Sequence, residues 1–320
     1  MSQICEFIKK NMLIEENIKY ITRHKVIKDN LVSITWKVTN YCNYNCPYCI
    51  QGVHKEPPTD LNVVYNIANQ INEKLKKIPS SFKINFNLFG GEISSYPLGE
   101  LLNKLFINVS CDSNVIFTTN LSGSIENYIS FFKNSYVKNK NLVASYHPLS
   151  SNMDLFLKKC IELKNYGNLR VRYVILKTDT LNYIKQLREK FIKNNISLNL
   201  VLDKHYNAED FHSSIFEYLK NCVDSYKGSI IYVTTKDNKI YKFSDTISLY
   251  NEFENKDLNL KGCICKKDWF ISPDGTCKLG NCKITSRNKY LLKDINLLNN
   301  KIVCEDTHCK LTALDYLKYE

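Results

Sequence analysis

The chain is short of the features that would send it through or into a membrane. Its first residues, Met1-Ser2-Gln3-Ile4-Cys5-Glu6, do not open a basic-then-apolar signal pattern, so secretion is not expected. No apolar run is long enough to span a bilayer. The formal net charge is +12, yet the basic residues form no dense block and do not interleave with aromatics. That argues against a nucleic-acid partner. The lysines are scattered through helical stretches among Asn and Ile, and the surplus leaves an acidic substrate or leader peptide as a second reading. The 13 cysteines are an odd number, which does not fit a complete disulfide framework. These absences point to a reducing cytoplasm and to thiols that serve metal chemistry.

Three of those thiols stand together. Residues 41–49 read Tyr-Cys-Asn-Tyr-Asn-Cys-Pro-Tyr-Cys, so Cys42, Cys46 and Cys49 follow a C-x3-C-x2-C spacing. Zinc sites and disulfides usually take an even set of sulfurs. Three close thiolates suit an iron–sulfur cluster that ordinarily takes four, with one iron left open to a ligand. A zinc loop or a partial disulfide set is the rival. The run Val32–Thr39 reads as a strand before the motif, and Pro47 with the asparagines marks a loop. The cysteines therefore fall at the C-terminal end of a strand, where α/β barrels carry their chemistry.

Residues 3–22 show an apolar stripe that predicts a helical lead-in, assigned with the linker to a segment 1–30. Strands are then expected at Lys83–Phe89, Val115–Thr119, Leu142–Tyr146, Leu169–Leu176 and Ser197–Leu202. Helices are expected from the Thr59-Asp60 cap through Leu75, and over Leu101–Phe106, Ile125–Phe132, Asp154–Tyr166, Leu181–Lys193 and Ala208–Val223. Such alternation argues an α/β fold with a parallel sheet and outer helices over 31–228. Periodicity does not separate a partial barrel from a flat doubly wound sheet. Residues 229–320 form a separate, cysteine-rich region with a hairpin at 229–243 turning on Lys236-Asp237-Asn238.

The cysteine spacing resembles the cluster motif of the radical S-adenosylmethionine (radical SAM) enzymes, with Tyr48 as the aromatic before the third cysteine. The resemblance implies a partial (β/α)6 barrel. It also implies a four-iron four-sulfur cluster on Cys42, Cys46 and Cys49, and SAM on the open iron. One electron from a donor such as flavodoxin or ferredoxin would cleave SAM to a 5′-deoxyadenosyl radical that removes a substrate hydrogen. Gly90-Gly91-Glu92 resembles the family's Gly-Gly-Glu-Pro segment, which binds the SAM amino group; Ile93 stands where proline is usual. The glycines allow close approach of a ligand, and a carboxylate accepts from an ammonium group. Polar residues at other strand ends contact SAM or substrate in relatives. Asn120, Ser145 and Arg172 are assigned to the cofactor on that ground, with Tyr48, Gly90, Gly91 and Glu92. His147, before Pro148, and Lys204 stand at similar positions.

In the last region, Cys263, Cys265, Cys277, Cys282, Cys304 and Cys309 surround Trp269-Phe270-Ile271-Ser272-Pro273-Asp274-Gly275, a strand followed by strong turn chemistry. It resembles the small C-terminal α+β extensions (SPASM and twitch types) of radical SAM peptide and sugar modifiers. The resemblance implies one auxiliary four-iron cluster on four of these six sulfurs, with zinc as the alternative. Cys222, on the last expected core helix, is a candidate hydrogen donor to a substrate radical; Cys5, Cys111 and Cys160 read as core or surface thiols. The implied activity is modification of a ribosomally made peptide by epimerisation, crosslinking or oxidation. Dehydrogenation of a small sugar or alcohol is the alternative enzyme reading, and a zinc protein that binds nucleic acid is the rival from another class.

Overall fold

Alternating residues decide how the main sheet is built. The computed structural model describes residues 18–22, 30–49, 51, 56–203, 211–221, 231–243, 264–279, 289–299, 301–303 and 314–318. The first element, β1 (Ile18–Thr22), is a strand. The helical lead-in expected over 3–22 is therefore corrected at its end, and residues 3–17 lie outside the described residues. Two pairings account for the strand: β1 is hydrogen-bonded on both sides, and sheet pairing outweighs a local helical stripe.

The chain then alternates. It runs β2 (Leu31–Lys37), α1 (Leu61–Leu75), β3 (Lys83–Phe89), α2 (Leu98–Phe106), β4 (Asp112–Thr119) and α3 (Ile125–Lys133). It continues with β5 (Asn139–Tyr146), α4 (Met153–Leu163), β6 (Asn168–Ile175), α5 (Leu181–Lys193), β7 (Ser197–Leu202) and α6 (Ser213–Asn221). Strands β2 to β7 lie side by side in chain order, and each pair from β3 to β7 is parallel. This is the partial (β/α)6 barrel the resemblance implied. Helix α6 opens at Ser213, and residues 208–210 and 222–223 of the expected helix lie outside the described residues. Asp60 caps α1 as expected, its side chain accepting from the amides of Asn62 and Val63.

One face of each strand carries the core. Phe86 meets Phe106 of α2 with ring centres 5.5 Å apart, Phe117 meets Phe131 of α3 at 5.3 Å, and Tyr146 meets Phe156 of α4 at 5.2 Å. Each such fully buried ring contributes on the order of 2 kcal/mol. The alternate residues face the other way and mix polar side chains with apolar ones such as Ile116, Val143 and Val174. Asn141 Nδ2 donates to Asn114 Oδ1 at 2.7 Å, Asn114 Nδ2 to Asn85 Oδ1 at 3.3 Å, and Asn87 Nδ2 to Thr35 Oγ1 at 3.3 Å. A closed barrel fills this face with layered Val, Ile and Leu. Here part of the inner wall is a row of asparagines that pair their own amides.

The remaining strands are β8 (Ile231–Thr235), β9 (Ile240–Phe243), β10 (Ile264–Lys267), β11 (Trp269–Ile271), β12 (Thr276–Leu279), β13 (Tyr290–Leu291), β14 (Lys301–Val303) and β15 (Leu314–Lys318). Six strands form a sheet in the order β14-β10-β15-β1-β8-β9, and its pairings are antiparallel. The expected hairpin is β8–β9, with Asn238 at φ 62° in its turn. The chain divides into two compact units. One holds Ile34–Tyr226 with Ile271–Thr276, and the other Met1–Ser33, Lys227–Phe270 and Cys277–Glu320. Among the described residues no helix is long and apolar enough to cross a membrane.

Candidate functional site at the strand ends

Two loops are joined backbone to backbone. After β2 the chain enters the cysteine loop, and after β3 it enters Gly90-Gly91-Glu92. The Val38 amide donates to Phe89 O at 2.8 Å, Gly91 N to Thr39 O at 2.9 Å, and Glu92 N to Tyr41 O at 2.7 Å. The β2–β3 pairing thus continues past the strands into the first residues of the cysteine motif. Space explains the glycines. A Cβ on Gly91 would lie 1.8 Å from Tyr41 O, and one on Gly90 2.8 Å from Thr39 O. Among the described residues only Gly275 is a glycine with positive φ, so Gly90 and Gly91 serve close approach. What approaches them is the cysteine loop itself, where the sequence suggested a ligand. Ile93, fully buried, packs its Cγ2 where a Cβ on Gly90 would fall.

Glu92 fastens a third strand to the first two. It is 3% exposed. Its Oε2 accepts from Asn120 N at 2.6 Å, and its Oε1 from Thr119 Oγ1 at 2.7 Å and Ser94 N at 2.9 Å. Burial raises its pKa above the usual carboxylate range, while these donors and the Ser94 hydroxyl pull the other way. The carboxylate expected to meet an ammonium group is thus largely engaged inside the protein. It also lines an open pocket of about 160 Å³ with Tyr41, Asn43, Ser94, Ser95, Ser122 and Gly123.

The three cysteines are half-buried and form no disulfide. Burial pushes the Cys42 thiol up to about 11; the charges of Glu92, Cys46 and Cys49 add to this, and the Tyr44 amide opposes it. Burial also raises Cys46, against hydrogen bonds from Tyr48 and Ser150. Thiols that raise one another do not ionise together unless a cation gathers them, and a coordinating metal deprotonates a thiol outright. Among the described residues no three His, Cys, Asp or Glu side chains converge as one metal ion requires. A four-iron cluster takes each sulfur on a different iron, so its ligands stand further apart than those of one ion. The donor set fits such a cluster, with one iron lacking a protein ligand.

His147, after β5, reaches this loop across the sheet. Its Nδ1 lies 3.4 Å from Cys46 Sγ and 3.0 Å from the Tyr48 hydroxyl. The Tyr48 ring stacks on it at 5.8 Å and 17°, and Tyr44 meets it edge-on at 5.9 Å and 82°. Burial lowers the imidazole to about 4, so the ring is neutral at pH 7. His147 also closes a turn, its carbonyl accepting from the amides of Ser150 at 3.0 Å and Ser151 at 2.8 Å.

Known structures share this arrangement of strands and helices. No protein-family model matches the sequence, and no curated protein matches it. Among solved structures, a histidine-tagged form of anSMEcpe with bound AdoMet superposes with a TM-score of 0.55 at 14% identity, over 84% of this chain and 80% of that one. Native anSMEcpe with bound AdoMet gives 0.55 at 13% identity over the same shares of 84% and 80%. Streptococcus suis SuiB gives 0.52 at 14% identity over 85% of this chain and 65% of its own. The chain has the radical SAM fold.

Within that radical SAM fold the other expected residues are distributed unevenly. Asn120 stands beside the cysteine loop, its Nδ2 donating to Asn43 Oδ1 at 3.0 Å and lying 3.9 Å from Cys42 Sγ. Ser145 and Arg172 are register partners on β5 and β6. Arg172 is part-buried, and its buried Nε has no hydrogen-bond partner; burial, then Arg170, lowers its pKa. Cys111 and Cys160 are core thiols, with Cys111 Sγ donating to Ile78 O at 3.1 Å. Of the auxiliary candidates, Cys277 is buried on β12, and Cys265 lies on β10. Cys263, Cys282, Cys304 and Cys309 lie outside the described residues, as do Cys5, Cys222 and Lys204. Nothing in the sequence marks the contact of His147 with the motif, or those of Asn120 and Ser122 with Asn43 inside it. His147 is 101 residues from Cys46, and its only sequence signal is its place at a strand end.

Proposed function

We propose that the protein is a radical SAM enzyme that modifies a peptide. The observation that carries the reading is the backbone ladder Val38–Phe89, Gly91–Thr39 and Glu92–Tyr41, which seats the three-cysteine loop against Gly-Gly-Glu. Cys42, Cys46 and Cys49 would hold a four-iron cluster. When bound, that group supplies one electron to SAM, whose cleavage yields a radical able to take a substrate hydrogen.

The protein's own residues do the positioning. Asn120, Thr119 and Ser94 hold the Glu92 carboxylate in place at the pocket it lines, where it would meet the SAM ammonium group. The carboxylate of SAM falls to Ser145 and Arg172; the unpartnered Arg172 Nε in a buried setting supports an anionic ligand there. Tyr48 contributes its ring beside the cluster loop. The row of Asn85, Asn114 and Asn141 keeps polar donors on the face that the strands turn away from the helices.

The peptide part of the reading rests on the resemblance of the C-terminal cysteine pattern, with its auxiliary cluster on four of six sulfurs. Cys222 is the hydrogen donor this reading offers if the reaction is an epimerisation.

Anaerobically reconstituted protein, given SAM and dithionite, is expected to form 5′-deoxyadenosine. The variant with Cys42, Cys46 and Cys49 all changed to Ala is expected to form none. Coexpression with a short precursor encoded beside the gene is expected to change the peptide's mass. A peptide recovered unchanged from an enzyme that cleaves SAM removes the peptide part and leaves the cleavage part standing.

A further inference from the structure

The sulfurs of the cysteine loop are not equally supplied with hydrogen-bond donors. Cys42 Sγ accepts from Tyr44 N at 3.4 Å and has Asn120 Nδ2 at 3.9 Å, a weak contact. Cys46 Sγ faces His147 Nδ1 at 3.4 Å and takes further hydrogen bonds from the side chains of Tyr48 and Ser150. A metal-bound cysteine carries no hydrogen and can only accept. The imidazole then meets that sulfur as a donor only in the tautomer with its hydrogen on Nδ1. Tyr48, whose hydroxyl lies 3.0 Å from the same nitrogen, shares that hydrogen through its oxygen and turns its own hydrogen to Cys46.

The ring is held from two sides, and its backbone is held as well. Tyr48 stacks on one face, and Tyr44 presses edge-on. Tyr44 is itself anchored by Ser151 Oγ, 3.3 Å from its hydroxyl. The backbone is fixed by the turn that its carbonyl closes with Ser150 and Ser151.

On the reading of this loop as an iron–sulfur site, we propose that His147 is a positioning residue that donates from Nδ1 to the Cys46 sulfur and raises the reduction potential of the cluster that sulfur holds. A donor at a ligand sulfur withdraws negative charge and favours the reduced, more negative cluster. The bond thus makes it easier for the electron donor to load the site. It also ties the end of β5 to the loop after β2, so a substrate that shifts the β5 loop would alter the same potential.

The test is a potentiometric titration of the reconstituted full chain, followed by low-temperature EPR. The signal that changes on adding SAM, and that the Cys42, Cys46, Cys49 triple variant lacks, identifies the cluster. His147→Phe keeps a flat ring and removes the donor; its midpoint is expected to move to more negative potential. His147→Asn, which restores a side-chain N–H, is expected to move it back toward wild type. An unchanged midpoint in His147→Phe, with the cluster present, overturns the proposal and leaves the radical SAM reading intact. So does loss of the cluster from both variants with folding preserved by circular dichroism, because the residue then serves assembly. A wild-type protein with no signal that the triple variant lacks overturns the radical SAM reading itself, and the proposal with it.

Discussion

The loop after β2 and the β11–β12 hairpin both place glycine near cysteine, and they use the two residues differently. Gly91 is there for space, since the Tyr41 carbonyl occupies the volume a Cβ would need. Gly275 is there for conformation: its φ is +79°, and the nearest atom to a Cβ there would be Ile67 Cγ1 at an ordinary 3.5 Å. The hairpin is closed locally, by Ser272 N to Thr276 O at 2.8 Å and by Asp274 Oδ1 accepting from Thr276 N at 3.0 Å. The loop after β2 is closed by residues from two later strands, Gly91 and Asn120 among them. One turn is self-contained. The other is an assembly, so a change in any of its three strands reaches the cysteines.

The sharpest way to break this contrast is Gly91→Ala. It should cost more than about 4 kcal/mol, in the range of backbone clashes that cannot relax. It should also abolish cluster loading, as read by urea unfolding and iron content. Next is Glu92→Ala, which strands the Asn120 and Ser94 amides and the Thr119 hydroxyl and should cost about 3 kcal/mol. Glu92→Gln separates charge from hydrogen bonding. Folding raises the Glu92 pKa, so its contribution is full below the unfolded value and falls as pH rises through the folded one. The Gln variant should lack that part of the stability-versus-pH slope above pH 4; an identical slope would show that Glu92 does not titrate there.

Asn127→Ala tests how far the assembly extends. Asn127 Nδ2 donates to Ser94 O and Tyr96 O at 2.8 Å each, and its Oδ1 accepts from Leu98 N at 2.9 Å. The loop after Glu92 depends on it, and its loss should cost about 2 kcal/mol by thermal or urea unfolding and weaken cluster retention. Gly275→Ala should cost least, about 1 kcal/mol from the left-handed backbone alone. It should leave SAM cleavage unchanged. A Gly275→Ala effect as large as that of Gly91→Ala would remove the contrast.

What the sequence disclosed follows the same division. The strands Lys83–Phe89 and Ser197–Leu202 and the helix Leu181–Lys193 were legible to the residue, because each strand alternates and each helix carries a local stripe and cap. The β8–β9 hairpin and the Pro273-Asp274-Gly275 turn were legible for the same reason. The strand β1 was not: Ile18–Thr22 becomes β only by pairing with β8 and β15, which lie more than two hundred residues away. At the site, the cysteines and Gly-Gly-Glu announced themselves by spacing. The reason for the glycines, the engagement of Glu92 and the reach of His147 did not, because each depends on which loops the parallel sheet sets side by side.

The central claim is that the loop bearing Cys42, Cys46 and Cys49 is a cluster site for SAM. The most direct measurement is an iron count with 5′-deoxyadenosine yield on anaerobically reconstituted wild type and on the triple Cys→Ala variant. The account predicts that the variant keeps about half of the iron, on the C-terminal cysteines, and forms no 5′-deoxyadenosine. A variant that still cleaves SAM at the wild-type rate would contradict it.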